Sequence, residues 1–147
     1  MKFTCRDLSV ALVAILASAC VFTFAGQKPI MRSSVADWNS MVDIPNNHGS
    51  MRQVFDAPTP TLENLEVHIS TLKPGMAAHP PHRHPNEELI LVKQGTVQTL
   101  SNGQWKQVGP GSVIFNASNQ LHDLRNVGKE NAVYFVVNVK TAATPAK

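Results

Sequence analysis

Residues 79–88, HPPHRHPNEE, combine three histidines, three prolines and two glutamates within ten positions. On an extended chain, alternate side chains share a face and each residue advances about 3.3 Å. His82 and His84 are therefore expected to point the same way, with Arg83 pointing away. Glu88 has the same parity and follows after a short turn, so two imidazoles and a carboxylate can converge on one ion. This donor set suits divalent manganese, iron, nickel or zinc. The alternative interpretation is a solvent-exposed polar loop.

A fourth candidate ligand, His122, lies much later in the chain, after a turn and just before the strand-like alternation that begins at Leu124. The remaining histidines give weaker signals. His48 sits in an Asn/Gly turn and His68 is expected on the outer face of a strand, so both are interpreted as surface residues. His79 is interpreted as a plain loop residue, with a hydrogen-bonding group at the mouth of a cavity as the alternative.

Short apolar runs between glycine, proline and asparagine breaks make up the chain from Met51 onward, a pattern typical of an all-β fold. Asn102-Gly103 is the strongest hairpin signal, because both residues tolerate the positive φ of a tight turn. Short strands with no helix between them predict a sandwich or a barrel. The expected strands lie near residues 52–55, 65–70, 88–93, 96–100, 104–108, 112–116, 122–127 and 132–139.

The histidine-rich segment resembles the first motif of the cupin family. Gly75, His82-x-His84, three residues, Glu88, six residues and Gly95 follow that motif in order. Six residues separate the first glycine from the first histidine, where the motif usually has five. The stretch PHRHPNEELILVKQGTV is similar to the form that this motif takes in small bacterial cupins.

The second cupin motif has weaker counterparts in the chain. Gly111, His122 and Asn126 fall at matching places, whereas Ala117 replaces the usual proline and Asn119 the usual glycine. Asparagine tolerates left-handed backbone geometry better than most residues, so we expect this turn to survive. The replacements therefore affect the rigidity of the loop more than the ligands.

The resemblance covers about residues 62–140 and implies a small jelly-roll barrel, the double-stranded β-helix, with a divalent metal inside its mouth. Three histidines and one glutamate leave two positions open on an octahedral ion, for a bidentate oxygen ligand, dioxygen or water. Manganese, iron, zinc and nickel all remain candidates. Carried over residue by residue, the implied metal ligands are His82, His84, Glu88 and His122.

The function predicted from the metal is a metal-dependent, dioxygenase-like oxidoreductase that acts on a small oxygen-rich substrate, with a lyase or isomerase as a variant. The second hypothesis is a non-catalytic module that uses the metal to bind a carboxylate or enolate. No carboxylate beyond Glu88 is expected at a place suited to acid–base chemistry, since Glu87 should point outward; this argues against an oxalate-decarboxylase-like mechanism. By strand parity, the residues expected to line the cavity are the mainly apolar Ile90, Val92, Phe115, Leu124, Tyr134 and Phe135 and the polar His79, Gln98 and Asn126.

Residues 1–25 have the layout of a secretory signal peptide: a short basic start, an apolar run and small residues that offer cleavage after Ala19 or Ala25. The alternatives are an uncleaved membrane anchor and a lipoprotein attached at Cys20. The protein is therefore expected to be exported, to the periplasm or beyond. Both cysteines, Cys5 and Cys20, fall in this leader, so the mature chain would rely on core packing and not on disulfides.

After the leader, we expect an N-terminal arm over residues 26–50, the barrel over 51–140 and a flexible tail over 141–147. The arm carries an apolar patch around Trp38, which would pack onto its own barrel or, alternatively, onto a second subunit in a homodimer. The whole chain has a formal net charge of +3. Its basic residues are scattered, so a small molecule is the expected partner and nucleic acid is not.

Overall fold

The structure, a computed structural model, describes residues 28–146. The signal peptide predicted for residues 1–25 and both cysteines lie outside the described residues. Within the described part of the chain, no helix is both long and apolar enough to cross a membrane.

The described residues form nine strands in two antiparallel sheets. The six-stranded sheet has the order β1-β2-β3-β9-β4-β7, and the three-stranded sheet has the order β6-β5-β8. This architecture confirms the predicted all-β jelly-roll barrel. The strands are β1 (Ile44–Asn46), β2 (Gly49–Ala57), β3 (Asn64–Leu72), β4 (Glu87–Gln94), β5 (Val97–Ser101), β6 (Gln104–Val108), β7 (Val113–Asn116), β8 (Asp123–Asn126) and β9 (Ala132–Lys140).

Two asparagines adopt the left-handed backbone conformation that the sequence led us to expect. Asn102, with φ of 51°, and Gly103, with φ of 75°, join β5 to β6 in the predicted hairpin. Asn119 has φ of 58°, so it takes over the conformation of the glycine that it replaces in the second motif. Asparagine allows this because its short polar side chain tolerates positive φ.

Strand β1 was not expected from the sequence. It is three residues long, all of them exposed, and it pairs with β2 at the edge of the larger sheet. With β1 and the start of β2, strand pairing begins before residue 51, inside the segment 26–50 that we expected to be an arm. A strand this short and this exposed has no alternating apolar pattern from which it could be predicted.

The interior of the barrel is apolar at its centre. Two of the residues that we expected to line it, Phe115 and Phe135, face outward instead. Phe115 is 56% exposed, and Phe135 contacts Trp38 outside the sheet. The register explains both corrections: β4 pairs Ile90 with Ile114 and Val92 with Tyr134, so even-numbered residues of β7 and β9 face inward and odd-numbered ones face outward. The buried core is formed by Leu72, Ile90, Val92, Val97, Ile114, Leu124, Ala132, Tyr134 and Val136.

The arm packs onto its own barrel through Trp38. This residue begins a single turn of 3-10 helix, Trp38–Ser40, whose N-cap is Asp37. The indole lies 6.5 Å from the Phe135 ring, centroid to centroid, and the Lys93 ammonium sits 3.4 Å from the centre of the indole ring. The Arg52 guanidinium lies 5.0 Å from the same ring, so Trp38 joins the arm to the outer face of the six-stranded sheet by one aromatic contact and two cation–π contacts.

Replacing Trp38 with alanine should lower the free energy of unfolding by about 1–2 kcal/mol, because the contacts with Phe135, Lys93 and Arg52 are lost from a partly exposed site. Chemical denaturation would measure this loss, and hydrogen exchange should accelerate at the backbone amides around residue 38. Val35→Ala is the matched control, since Val35 is 97% exposed. If the two variants lost the same stability, the arm would not depend on the indole.

Candidate metal centre

The segment between β3 and β4 crosses the mouth of the barrel. Backbone hydrogen bonds to His122, the residue just before β8, hold it there. His82 N–H donates to the His122 carbonyl over 3.0 Å, and His122 N–H donates to the His82 carbonyl over 3.1 Å. The two residues form an isolated antiparallel bridge. In an antiparallel ladder the next hydrogen bond on the N-terminal side would come from the backbone N–H of residue 80, and Pro80 has none.

A second set of contacts joins the same two segments on the side away from the cavity. The Arg83 guanidinium donates to the Asn119 carbonyl over 2.8 Å, and the Asn119 N–H donates to the His84 carbonyl over 2.8 Å. Arg83 thus points away from its neighbouring histidines, as the alternation predicts. The left-handed turn at Asn119 positions one motif against the other.

Three imidazoles meet where these segments join. The potential ligand atoms of His82, His84 and His122 all lie within 4.8 Å of one another. The ring nitrogens His82 Nδ1, His84 Nε2 and His122 Nε2 are buried and have no hydrogen-bond partner. Buried polar atoms in folded proteins almost always have one, so this group of three is what a bound cation would satisfy.

Backbone carbonyls set the orientation of two of these rings. His84 Nδ1 lies 3.0 Å from the Asn86 carbonyl and His122 Nδ1 lies 2.8 Å from the Gln120 carbonyl. A carbonyl can only accept, so each Nδ1 carries the proton and each Nε2 presents its lone pair to the cluster. Ligating histidines in metal sites are commonly oriented in this way.

Glu88 lies beside the imidazoles and completes the four predicted residues. Its Oε2 is 3.6 Å from His84 Nε2, and its Oε1 is 3.7 Å from His122 Nε2. The Asn116 amide donates to Oε1 over 2.8 Å, which orients the carboxylate. All four residues singled out from the sequence therefore lie together, whereas Glu87 is exposed on the other face of β4, as expected.

The electrostatic environment of His82 favours its neutral form. Burial lowers the pKa of His82, and the nearby imidazoles lower it further because each disfavours a second positive charge. The Glu88 carboxylate raises the pKa of His82, but by less than burial and the neighbouring imidazoles lower it. His82 is therefore neutral at neutral pH, the protonation state in which an imidazole nitrogen can bind a metal.

A cavity of about 170 Å³ opens beside the cluster. At ~30 Å³ for each water of the liquid, this is the volume of about five or six water molecules, enough for a small organic molecule. A wider depression of about 640 Å³ lies on the outer surface, but none of the four candidate ligands lines it. The smaller cavity is lined by His68, Ser70, Ala78, His79, Glu88, Ile90, His122, Asp123, Leu124, Tyr134 and Val136.

Two histidines that the sequence assigned to the surface line this cavity. The interpretation of His68 as an outer-face residue is wrong, because strand β3 is covered on both faces: the neighbours Ile69 and Ser70 point to opposite sides and are only 0% and 9% exposed. His79 is not a plain loop residue either, since its ring packs edge-on against His82 with centroids 4.0 Å apart. Strand alternation identifies an inward face only when the other face is solvated, so no sequence signal marked His68.

Two other predicted lining residues do not reach the cavity. Asn126 is almost fully buried, and its amide donates to the carbonyls of Leu72 and Glu130 over 2.9 and 2.7 Å, so it joins loops and does not face a ligand. The Gln98 side chain accepts hydrogen bonds from the guanidinium of Arg125. The Asn126 amide and the Gln98 side-chain oxygen are therefore engaged by the protein itself.

The register places a row of polar residues across four strands next to the imidazoles. Glu66 on β3 pairs with Asn138 on β9, Asn138 pairs with Glu88 on β4, and Glu88 pairs with Asn116 on β7. The Asn138 amide donates to Glu66 over 3.0 Å. A second carboxylate, Glu66, therefore shares the sheet face of Glu88, which corrects the expectation that no other carboxylate lies near the site.

A family model described as the cupin domain, Cupin_2, matches residues 68–138. Among solved structures, the chain is similar to the polyketide cyclase RemF from Streptomyces resistomycificus, with 18% identity over 76% of this chain and 86% of that chain and a TM-score of 0.60. An RmlC-like cupin protein from Ralstonia eutropha has 16% identity over 75% and 70% of the two chains, with a TM-score of 0.62. A predicted oxalate decarboxylase from Thermotoga maritima has 18% identity over 73% and 99%, with a TM-score of 0.56. None of the curated proteins matches the chain significantly. At these identities the likeness concerns the fold.

Proposed function

The chain belongs to the cupin family through the domain at residues 68–138, and from this membership we propose that it is an exported, divalent-metal-dependent enzyme acting on a small oxygen-rich substrate. The observation that carries the proposal is the group of three buried imidazole nitrogens without partners beside a small cavity. Each buried polar atom without a partner lowers the stability of the folded state by about 1–3 kcal/mol. Three such nitrogens at one place therefore indicate a site where an ion binds.

The side chains present fit such an ion. His82, His84 and His122 would supply three nitrogens and Glu88 a carboxylate oxygen, a set that suits Mn, Fe, Zn or Ni. When bound, the ion supplies Lewis-acid or redox chemistry. The protein contributes the oriented rings, the Asn116 amide that holds the carboxylate, and a small cavity beside the site.

The cavity favours a small substrate with several oxygens. Its walls are apolar at Ile90 and Val136, whereas His68 and Tyr134 add polar groups. Burial raises the pKa of Tyr134 to about 12, with a hydrogen bond to Ser70 acting against that rise. Its hydroxyl therefore stays protonated at neutral pH. Two similar structures are named a polyketide cyclase and a predicted oxalate decarboxylase, and polyketides and oxalate are both oxygen-rich.

Oxygen uptake tests the proposed dioxygenase-like reaction. The purified protein would be loaded with Fe(II), Mn(II) and Zn(II) in turn and mixed with catechols, flavonols and diketones. We expect dioxygen consumption with iron and none with zinc, because only the first can change its redox state. Tightening of ligand binding by metal without any product would favour the alternative, a non-catalytic module that binds carboxylates or enolates.

Export is proposed from the apolar leader alone. Sequencing the N-terminus of the protein recovered from the exported fraction of its own host would test it. A start just after Ala25 or Ala19 is expected, and an intact Met1 in the cytosolic fraction would contradict the proposal.

The homodimer stays a prediction. The outer face of β4 and of the edge strand β7 exposes Leu91, Val113 and Phe115, which are 39%, 60% and 56% accessible. Exposed apolar side chains on neighbouring strands suit contact with a second subunit. A monomeric mass in analytical ultracentrifugation would contradict it.

A further inference from the structure

His68 on β3 lines the cavity, and its imidazole is paired with the Glu66 carboxylate of the same strand. His68 Nδ1 is 2.9 Å from Glu66 Oε1 and 3.1 Å from Glu66 Oε2. The same His68 lines the cavity together with Glu88 and His122. Since Glu66 holds Nδ1, Nε2 is the ring nitrogen that remains for a molecule in the cavity.

The charge on Glu66 determines which nitrogen of His68 carries the proton. Burial raises the pKa of Glu66, but hydrogen bonds from His68, Asn138 and Gln53 outweigh burial and hold that pKa below its ordinary value. Glu66 is therefore ionised at neutral pH and can only accept. The proton of a neutral His68 then lies on Nδ1, and Nε2 carries a lone pair that can take up a proton.

The spacing of the strands leaves room for a substrate between this pair and the candidate metal ligands. β3 and β4 both pair with β9, so they lie about 10 Å apart, twice the strand spacing. Val136 and Ile90, cross-strand neighbours in the same row as His68, form an apolar floor between the two groups. A flat molecule of about one ring can lie on this floor, with one edge toward His68 and the other toward Glu88 and His122.

Resting on the proposed function, we propose that His68 is the catalytic base for a substrate that carries an acidic hydroxyl next to a second oxygen, as in a catechol, an enediol or an α-hydroxy ketone. The O–H bond of the substrate breaks, its electron pair stays on the oxygen, and the proton moves to His68 Nε2. No atom is oxidised or reduced in this step. Glu66 acts as a positioning residue, because it fixes the ring and stabilises the imidazolium that forms.

Binding of 4-nitrocatechol to the Zn(II)-loaded protein tests this role without turnover, because the absorbance of the probe reports its ionisation. In the unsubstituted protein the probe should bind as the anion. His68→Gln should weaken binding of the anion by about tenfold or more, the scale of a lost hydrogen bond to a charged group. Glu66→Gln should give a smaller loss in the same direction. Elemental analysis should show unchanged zinc in both variants, since neither residue belongs to the imidazole cluster.

A pH titration separates His68 from the other ionisable groups nearby. Those groups are Glu66, which contacts the ring, and the cavity residues His79, Glu88, His122, Asp123 and Tyr134, and all of them remain in His68→Gln. Glu66→Gln shows the part that Glu66 takes in the profile. A change in the pH profile of probe ionisation that appears in His68→Gln and not in His48→Gln would support the assignment, because His48 lies outside the cavity.

Two outcomes would overturn the inference, and they are distinguishable. If His68→Gln keeps its zinc and binds the anion as the unsubstituted protein does, His68 is not the base, although the proposed metal site stands. If the unsubstituted protein retains no zinc and binds no probe, the proposed function fails and the inference fails with it. Glu66→Gln gives an independent comparison should His68→Gln fold poorly.

Discussion

Replacing His82 or His122 with alanine will strip most of the bound metal from the protein. Each residue supplies one of the three buried nitrogens that lie within 4.8 Å of one another, and no further histidine of the described residues belongs to that group. Loss of an outer hydrogen-bonding partner already lowers metal affinity by about 10–100-fold in known sites, so the loss of a ligand should exceed about 100-fold. Competition with a chelator of known affinity would measure the difference, and elemental analysis would give the stoichiometry.

The matched controls for metal loss are the histidines outside the cluster. His48→Ala should retain the metal, because His48 sits in the turn between β1 and β2. His68→Ala should retain it as well, because Glu66 engages the ring on the opposite side of the cavity. Full metal content in His82→Ala and His122→Ala would mean that the ligands implied by the family motifs are not those of this chain.

Gly95→Ala should destabilise the protein by about 3 kcal/mol or more. Gly95 follows β4 with φ of +84°, and a Cβ there would lie 2.7 Å from Ala132 Cα and 2.9 Å from the Asn131 carbonyl oxygen. Left-handed backbone costs a residue with a side chain about 1–2 kcal/mol, and contact with backbone atoms adds to this because β9 cannot move aside without breaking its pairing. Denaturant unfolding would give the value.

Gly103→Ala is the control that isolates the contact from the backbone conformation. Gly103 also has positive φ, +75°, but a Cβ there would meet nothing within 4 Å. We expect a loss of about 1–2 kcal/mol, from the conformation alone. If the two alanine variants were equally destabilised, close approach to β9 would not be the reason for glycine at position 95.

Local patterns were sufficient for most of the strands and turns. Apolar runs bounded by turn residues predicted all strands except β1, and positive φ was predicted correctly at Asn102 and Asn119. These features depend on the residues within a few positions of each other, so the sequence carries them directly. The short, exposed β1 exists only through its pairing with β2, and no local pattern predicts such a strand.

Inward and outward faces were harder to predict than the strands themselves. Phe115 and Phe135 were expected inside and face outward, whereas His68 was expected outside and lines the cavity. Along most of β3 the apolar residues share one parity, but the polar face with His68 and Ser70 is the one that lines the cavity, so apolar alternation did not mark the inward face. Only the register with β9 decides that His68 shares a face with Tyr134.

The sequence by itself identifies the candidate metal ligands by residue type and spacing: His82, His84, Glu88 and His122. It also identifies the glycines and asparagines of the turns near them. What the tertiary structure alone decided is which groups accompany them: the paired backbones of His82 and His122, the polar row across four strands, and the Glu66–His68 pair facing the same cavity. The physical reason is that a strand's own periodicity determines which residues share a face, whereas its partners and their register determine what that face meets.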